Sequence, residues 1–155
     1  MANHHSAYSV WAPRALSLLR IVAGFMMLQH GAQKLFGVLT PPPAPGAEAA
    51  TQYPLLSLVG VAGALEFFGG LLLLLGLFTR PTAFILSGLM AAAYFMAHAP
   101  QGFWPILNMG ESAALYSFVF LYLAGAGGGP WGVDRLLWRG GTSPAPRTGL
   151  DPAQG

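Results

Sequence analysis

Four apolar stretches, residues 16–36, 55–78, 81–98 and 108–126, dominate the chain, and each is near the ~20 residues that cross a hydrocarbon core as a helix. Their polar interruptions are few. The whole chain of 155 residues holds 7 Lys+Arg and 5 Asp+Glu, and 8% charge cannot cover a water-facing surface when a soluble domain uses roughly 25%. A mean hydropathy of +0.55 agrees. The expected fold is therefore all-α, an integral membrane four-helix bundle with the lipid bilayer as its main partner. The pI near 9.3 does not indicate nucleic acid, because the basic residues are scattered and form no stripe that could track phosphates. With no cysteine the chain has no disulfide, thiolate metal site or dithiol chemistry, so any redox role must use a bound cofactor or a partner.

Turn chemistry brackets the stretches. The first connection, 37–54, carries PPPAPG at 41–46, which cannot continue a helix and reads as an extended loop. Thr79-Arg80-Pro81 makes a tight second connection, with Pro81 tolerated in a first helical turn. Pro100, Gly102 and Pro105 break the chain at 99–107. The first stretch lacks a small-residue cleavage site and carries Gln29, His30 and Lys34, so it reads as a retained helix rather than a signal peptide. After the fourth, 125–130 is glycine-rich, 131–138 could lie as a short interfacial helix, and 139–155 has a disordered composition. One four-helix domain is thus expected over 1–138.

Arg14, Arg80, Arg135, Arg139 and Arg147 flank one side of the spans, while the first and third loops have no Lys or Arg, which puts both termini in the cytoplasm. Trp11, Trp104, Trp131 and Trp138 all fall beside expected helix ends, as an interfacial belt requires.

The residues that do not belong in lipid are Arg20, Gln29, His30 and Lys34 in the first helix, Glu66 in the second, His98 ending the third, and Asn108 and Glu111 opening the fourth. Each ionisable group costs at least ~2.5 kcal/mol at the bilayer centre, so each should face the bundle or reach an interface. At helical periodicity Arg20, Gly24, Met27, Gly31 and Lys34 share a stripe, with His30 at its edge. Gly63, Glu66 and Gly70 share another at the small-residue spacing that lets helices approach closely. Ser87, Ala91, Tyr94 and His98 form a third face, and Glu111, Phe118 and Tyr122 a fourth.

Counted at 1.5 Å per residue, His30, Lys34, Glu66, His98 and Glu111 lie roughly 18 to 27 Å from the cytoplasmic ends, in the outer half. They form the candidate intramembrane polar site, supported by Arg20, Tyr94, Asn108 and Tyr122. Plainer readings stand beside it. Arg20 and Lys34 balance Glu66 and Glu111 in charge and could simply fix register. Arg20, near the inner end, could snorkel to the interface or extend toward Glu66. Asn108-x-x-Glu111 also matches a helix-capping pattern, and His98 beside Pro100 could be an interfacial histidine.

At these residues the chain resembles the DoxX family of small four-helix bacterial membrane proteins. The matching pieces are Leu19-Arg20 through HGAQKLFG at 30–37, LEFFGG at 65–70 running into LGLFTR at 75–80, AYFMAH at 93–98, PILNMGE at 105–111, and 127–134. Met109 stands where family members often have glycine. The resemblance implies a multi-pass protein of the bacterial inner membrane, associated with redox chemistry: a quinone-linked oxidoreductase subunit or a participant in a complex that counters oxidative stress. It implies no catalytic residue set. Any enzymatic role would then be that of an oxidoreductase component acting with a redox partner. His30 or His98 could donate to a quinone carbonyl, while Glu66 could exchange a proton. A non-enzymatic scaffold for a partner protein remains an alternative, as does a small-solute or proton conduit, which would require a homo-oligomer for room. Paired His30 and His98 could ligate haem, but two histidines among four helices match by chance too easily to favour it.

Overall fold

The computed structural model describes residues 4–40, 42 and 53–138. Among these the chain is helical, with no strand. The proline-rich run at 41–46, apart from Pro42, and the tail at 139–155 lie outside the described residues.

Helix α1 spans His4–Phe36 and begins well before its apolar stretch, continuing through Pro13. Helix α2 spans Leu58–Leu75 rather than starting at 55, because Ser57 turns the chain first. Its Oγ donates to the Pro54 carbonyl at 2.7 Å and accepts the Gly60 N–H at 3.0 Å, the N-cap arrangement that satisfies an otherwise free amide. Helix α2 stops at Gly76, whose φ of 70° is the left-handed conformation glycine adopts most readily.

Helix α3 spans Thr79–Ala93, so Pro81 lies in its first turn, where the missing N–H costs nothing. It widens into a π-helical turn, Tyr94–His98, and tightens into a 3-10 turn, Ala99–Gln101, that contains Pro100. Helix α4 spans Glu111–Ala126 and α5 spans Val133–Trp138. Three segments, Val10–Phe36, Leu58–Leu75 and Thr79–Gln101, are long and apolar enough to cross a membrane; α4 is apolar but shorter.

The helices pack as two hairpins, α1 on α2 and α3 on α4, which meet mainly along α2 and α3. Glycines determine how closely α1 and α2 approach. A Cβ on Gly24 would lie 2.7 Å from the Leu74 amide nitrogen, and one on Gly31 would enter the Phe67 backbone. The Arg20, Gly24, Met27, Gly31 and Lys34 stripe does face α2, with Arg20 and Met27 completely buried. Between the hairpins Met27, Leu73, Leu86, Met90, Phe120 and Leu123 form the centre of the core.

Large apolar side chains such as Phe25, Phe68, Phe84, Leu115 and Phe118 point outward, whereas Ser17, Arg20, Glu66, Thr79 and Asn108 are buried. This distribution fits lipid as the surrounding solvent, since the side chains of Ser17, Arg20, Glu66 and Asn108 find partners inside the protein. It also corrects the expected face of α4. Glu111, Phe118 and Tyr122 are exposed, and the buried face is Ala113, Phe120 and Leu123. A helix that is apolar all round gives periodicity little to distinguish inside from outside.

The glycine contact predicts opposite outcomes for two similar substitutions. Gly31→Ala should cost roughly 1–3 kcal/mol by overpacking against α2. Gly88 has nothing within 4 Å of an added Cβ, so Gly88→Ala should be neutral or stabilise by up to about 1 kcal/mol. Denaturation of the two variants in mild detergent, followed by circular dichroism, measures the difference.

Candidate functional site

Lys34 in the last turn of α1 reaches Glu66 at the middle of α2. Its Nζ lies 2.5 Å from Oε1 and 2.6 Å from Oε2, an ammonium bound to both carboxylate oxygens. Glu66 is 3% exposed and Lys34 29%, so the anion is enclosed and the cation is open on one side. Gly63 makes the crossing possible, since a Cβ there would stand 2.8 Å from Lys34 Cβ. An isolated charge at this depth would be costly, and direct pairing offsets that cost.

Two chambers meet at the pair. One, of about 250 Å³, is bordered by Met27, His30 and Lys34 from α1, Glu66 from α2, His98 and the α4 residues Ser112 and Tyr116. The other, of about 310 Å³, lies between α2 and α3 against Leu58, Val59, Ala62, Leu89 and Met96. Lys34, Glu66, Ala93 and His98 border both. The first chamber has a mixed polar and apolar lining and the second is almost wholly apolar, so the two differ in how much polar surface they offer around the shared pair.

His98 closes the π-helical turn of α3, with Nδ1 3.0 Å from the Asn108 carbonyl oxygen and its ring stacked near Tyr94. Asn108 is itself fixed in the connection. Its Nδ2 donates to the Gly102 carbonyl at 2.6 Å, and its Oδ1 accepts the Gly110 N–H at 2.8 Å. The Tyr94 hydroxyl donates to the Phe103 carbonyl. Tyr94 and Asn108 therefore brace the 99–110 connection through their polar groups. Met109 takes φ 58°, a left-handed conformation that glycine would adopt without strain, which gives a physical reason for glycine at this position.

Of the residues singled out from the sequence, His30, Lys34, Glu66 and His98 border the same chamber, His30 being exposed at its edge. Glu111 does not join them. It is exposed at the start of α4, Gly110 is the N-cap with no side-chain cap bond, and the expected Asn108–Glu111 capping box is replaced by the Asn108 turn. Tyr122 is exposed too. Ser112 and Tyr116 border the chamber and were not anticipated; their i, i+4 spacing on one face of α4 was the available signal.

Arg20 belongs to a second polar centre at the opposite end. It neither snorkels nor reaches Glu66. Its guanidinium donates to the carbonyls of Leu73, Leu74, Gly128 and Trp131, joining the end of α2 to the glycine-rich segment after α4. In the first turn of α5 the Asp134 carboxylate accepts the Phe78 and Thr79 N–H groups at 2.7 and 2.8 Å, capping the start of α3. Every Arg20 nitrogen is engaged by backbone, so this centre binds the chain to itself.

The DoxX family model matches residues 15–99. Over 132 residues the chain is 43% identical to an uncharacterised protein of Haemophilus influenzae, an alignment covering 83% of this chain and 95% of the relative. No solved structure matches.

The unequal enclosure of the ion pair predicts unequal costs of breaking it. Lys34→Met, which leaves a 3% exposed carboxylate without its cation, should destabilise by roughly 3–5 kcal/mol. Glu66→Gln should cost less, because the Lys34 ammonium retains an open side. The double variant Lys34→Met/Glu66→Leu should recover much of the loss, as removal of a buried pair together is tolerated far better than removal of one partner. Denaturant titration of the three variants in one detergent tests the order.

Proposed function

The chain belongs to the DoxX family, and from that membership and the two chambers at Lys34–Glu66 we propose that it is the membrane-embedded subunit of an oxidoreductase or oxidative-stress complex, holding a quinone by its head group. The carrying observation is the division of the site: a more polar chamber and an apolar chamber share the ion pair and His98. An amphipathic molecule can place its head in the first and its tail in the second. The lining fits such a group, since pockets for small molecules combine apolar walls with a few placed polar atoms.

Lys34 Nζ spends two contacts on Glu66 and has a third N–H to offer, because an ammonium carries three donors. His30, Ser112 and Tyr116 border the same space. These residues orient the head, and Glu66 holds the ammonium in place. A bound quinone would supply the two-electron chemistry that the side chains lack, and a redox protein partner would exchange electrons with it. Exposed Arg14, Arg80 and Arg135 favour placing the Arg20 end and both termini in the cytoplasm of a bacterial inner membrane, with the chambers in the outer half.

A membrane scaffold is the second reading, favoured by the contact of Lys34 with both Glu66 oxygens, which can complete the pair without a ligand. The two readings predict different extracts. Protein purified in mild detergent should carry quinone in near-stoichiometric amount, and Glu66→Gln should reduce the amount retained by about tenfold, the effect of losing roughly 1.4 kcal/mol of binding. Repeated absence of quinone, with respiration unchanged on deletion of the protein, would leave the scaffold.

A further inference from the structure

We infer that the more polar chamber selects a head group that donates a hydrogen bond, a hydroxylated ring on an apolar tail, and that His98 Nε2 accepts that bond because the Asn108 backbone carbonyl sets the tautomer of the imidazole. This rests on the reading that the chambers hold an amphipathic ligand and specifies which form they hold.

The argument begins with the connection between α3 and α4, which is built to hold one carbonyl still. Asn108 is 4% exposed. Its N–H donates to the Trp104 carbonyl at 3.2 Å, while its side chain spans from Gly102 to Gly110. A Cβ on Gly110 would lie 2.7 Å from Asn108 Oδ1 and 2.9 Å from His98 Cβ, so the backbone there approaches the histidine closely. Met109 keeps a left-handed φ directly after Asn108, a conformation that persists when the surroundings determine it. On the other side, the π-helical turn places His98 against this carbonyl, and wide turns of this kind occur often at functional positions.

A carbonyl oxygen only accepts, so the His98 nitrogen facing it at 3.0 Å carries the hydrogen. In a neutral imidazole the other nitrogen is then an acceptor. Nε2 has no hydrogen-bond partner among the described residues. It is not walled in either: Thr79 Oγ1 is the enclosed polar side-chain atom without a partner among those residues. His98 borders both chambers, which places its imidazole at their junction, and the Nε2 lone pair is assigned to that space.

Its neighbours sharpen the preference. Lys34 can only donate, both Glu66 oxygens are engaged by Lys34, and the Tyr116 hydroxyl donates to Met26 Sδ at 3.1 Å. A ligand hydroxyl can give its hydrogen to Nε2 and take one from Lys34. A carbonyl in the same place would set its lone pairs against that of Nε2. This reverses the role expected for His98 from sequence, where it was a donor to a quinone carbonyl, and makes Asn108 a positioning residue.

Two measurements on the full chain in lipid nanodiscs test the inference. In protein labelled with nitrogen-15 histidine, the His98 signals, identified by their loss in His98→Gln, should show a protonated Nδ1 and an unprotonated Nε2. Protonation at Nε2 would overturn the inference. The second measurement compares decylhydroquinone, its dimethyl ether and decylquinone by calorimetry under anaerobic conditions. The hydroquinone should bind about tenfold more tightly than either of the others, the scale of one hydrogen bond. His98→Phe should remove that preference. Equal binding of all three to the unaltered protein would overturn the donor selectivity while leaving the quinone-site reading intact; binding of none would overturn both. The three-probe comparison uses the unaltered protein alone and stands without any variant.

Discussion

A carboxylate enclosed among hydrocarbon helices needs a cation within direct reach, and the Lys34–Glu66 pair is arranged around that demand. Glu66 has almost no access to solvent, so Lys34 must come to it, and α1 must therefore lie close against α2. The glycines at 24, 31, 63 and 70 allow that approach by removing side chains from the shared seam. At the other end Arg20 imposes the same discipline with a different solution, using backbone carbonyls in place of a carboxylate. About 21 Å of helix separates the two cations, and the α1–α2 hairpin is fastened at both ends of that length.

The two centres differ in what they leave unfilled. Arg20 is fully buried and each guanidinium nitrogen has a backbone acceptor, so its chemistry is complete within the fold. Asp134 extends the same arrangement to the start of α3, making the segment after α4 a structural part of this end. Around Lys34 the protein supplies an unused ammonium hydrogen, two imidazoles and an adjoining apolar chamber. A functional reading belongs to the incomplete centre, even though both began as charges that a membrane disfavors.

Much of this was legible because polar residues are rare enough for their spacing to carry information. The stripe from Arg20 to Lys34 and the glycine-flanked Glu66 marked faces turned into the bundle, but which helix meets which, and that Lys34 is the cation paired with Glu66, depends on packing that the spacing does not encode. Glu111 was misleading for the same reason: its charge suggested an inward face, yet at the first residue of α4 it can remain exposed and interact favourably with the helix N-terminus. Phe118 and Tyr122 were equally ambiguous on a helix that is apolar on all sides. Asn108 was read as half of a capping box because the pattern describes residue types, whereas the choice between a cap and a local turn depends on the 102–110 backbone.

The π-helical turn was the least legible feature, since one extra residue in a turn leaves no periodic signature over five residues. Its consequence is chemical. Continued as a regular helix, α3 would meet Pro100 with a ring clashing against the carbonyl four residues earlier and with no N–H to donate. Widening at Tyr94–His98 and tightening at Ala99–Gln101 ends the helix over a short distance and brings His98 to the Asn108 carbonyl. The irregularity that terminates α3 thus also orients an imidazole. The α1–α2 hairpin holds the charges by close, regular packing, while the α3–α4 connection adds the uncharged polar atom by departing from regularity. The chamber exists because these two kinds of structure meet across a seam less tightly packed than either hairpin.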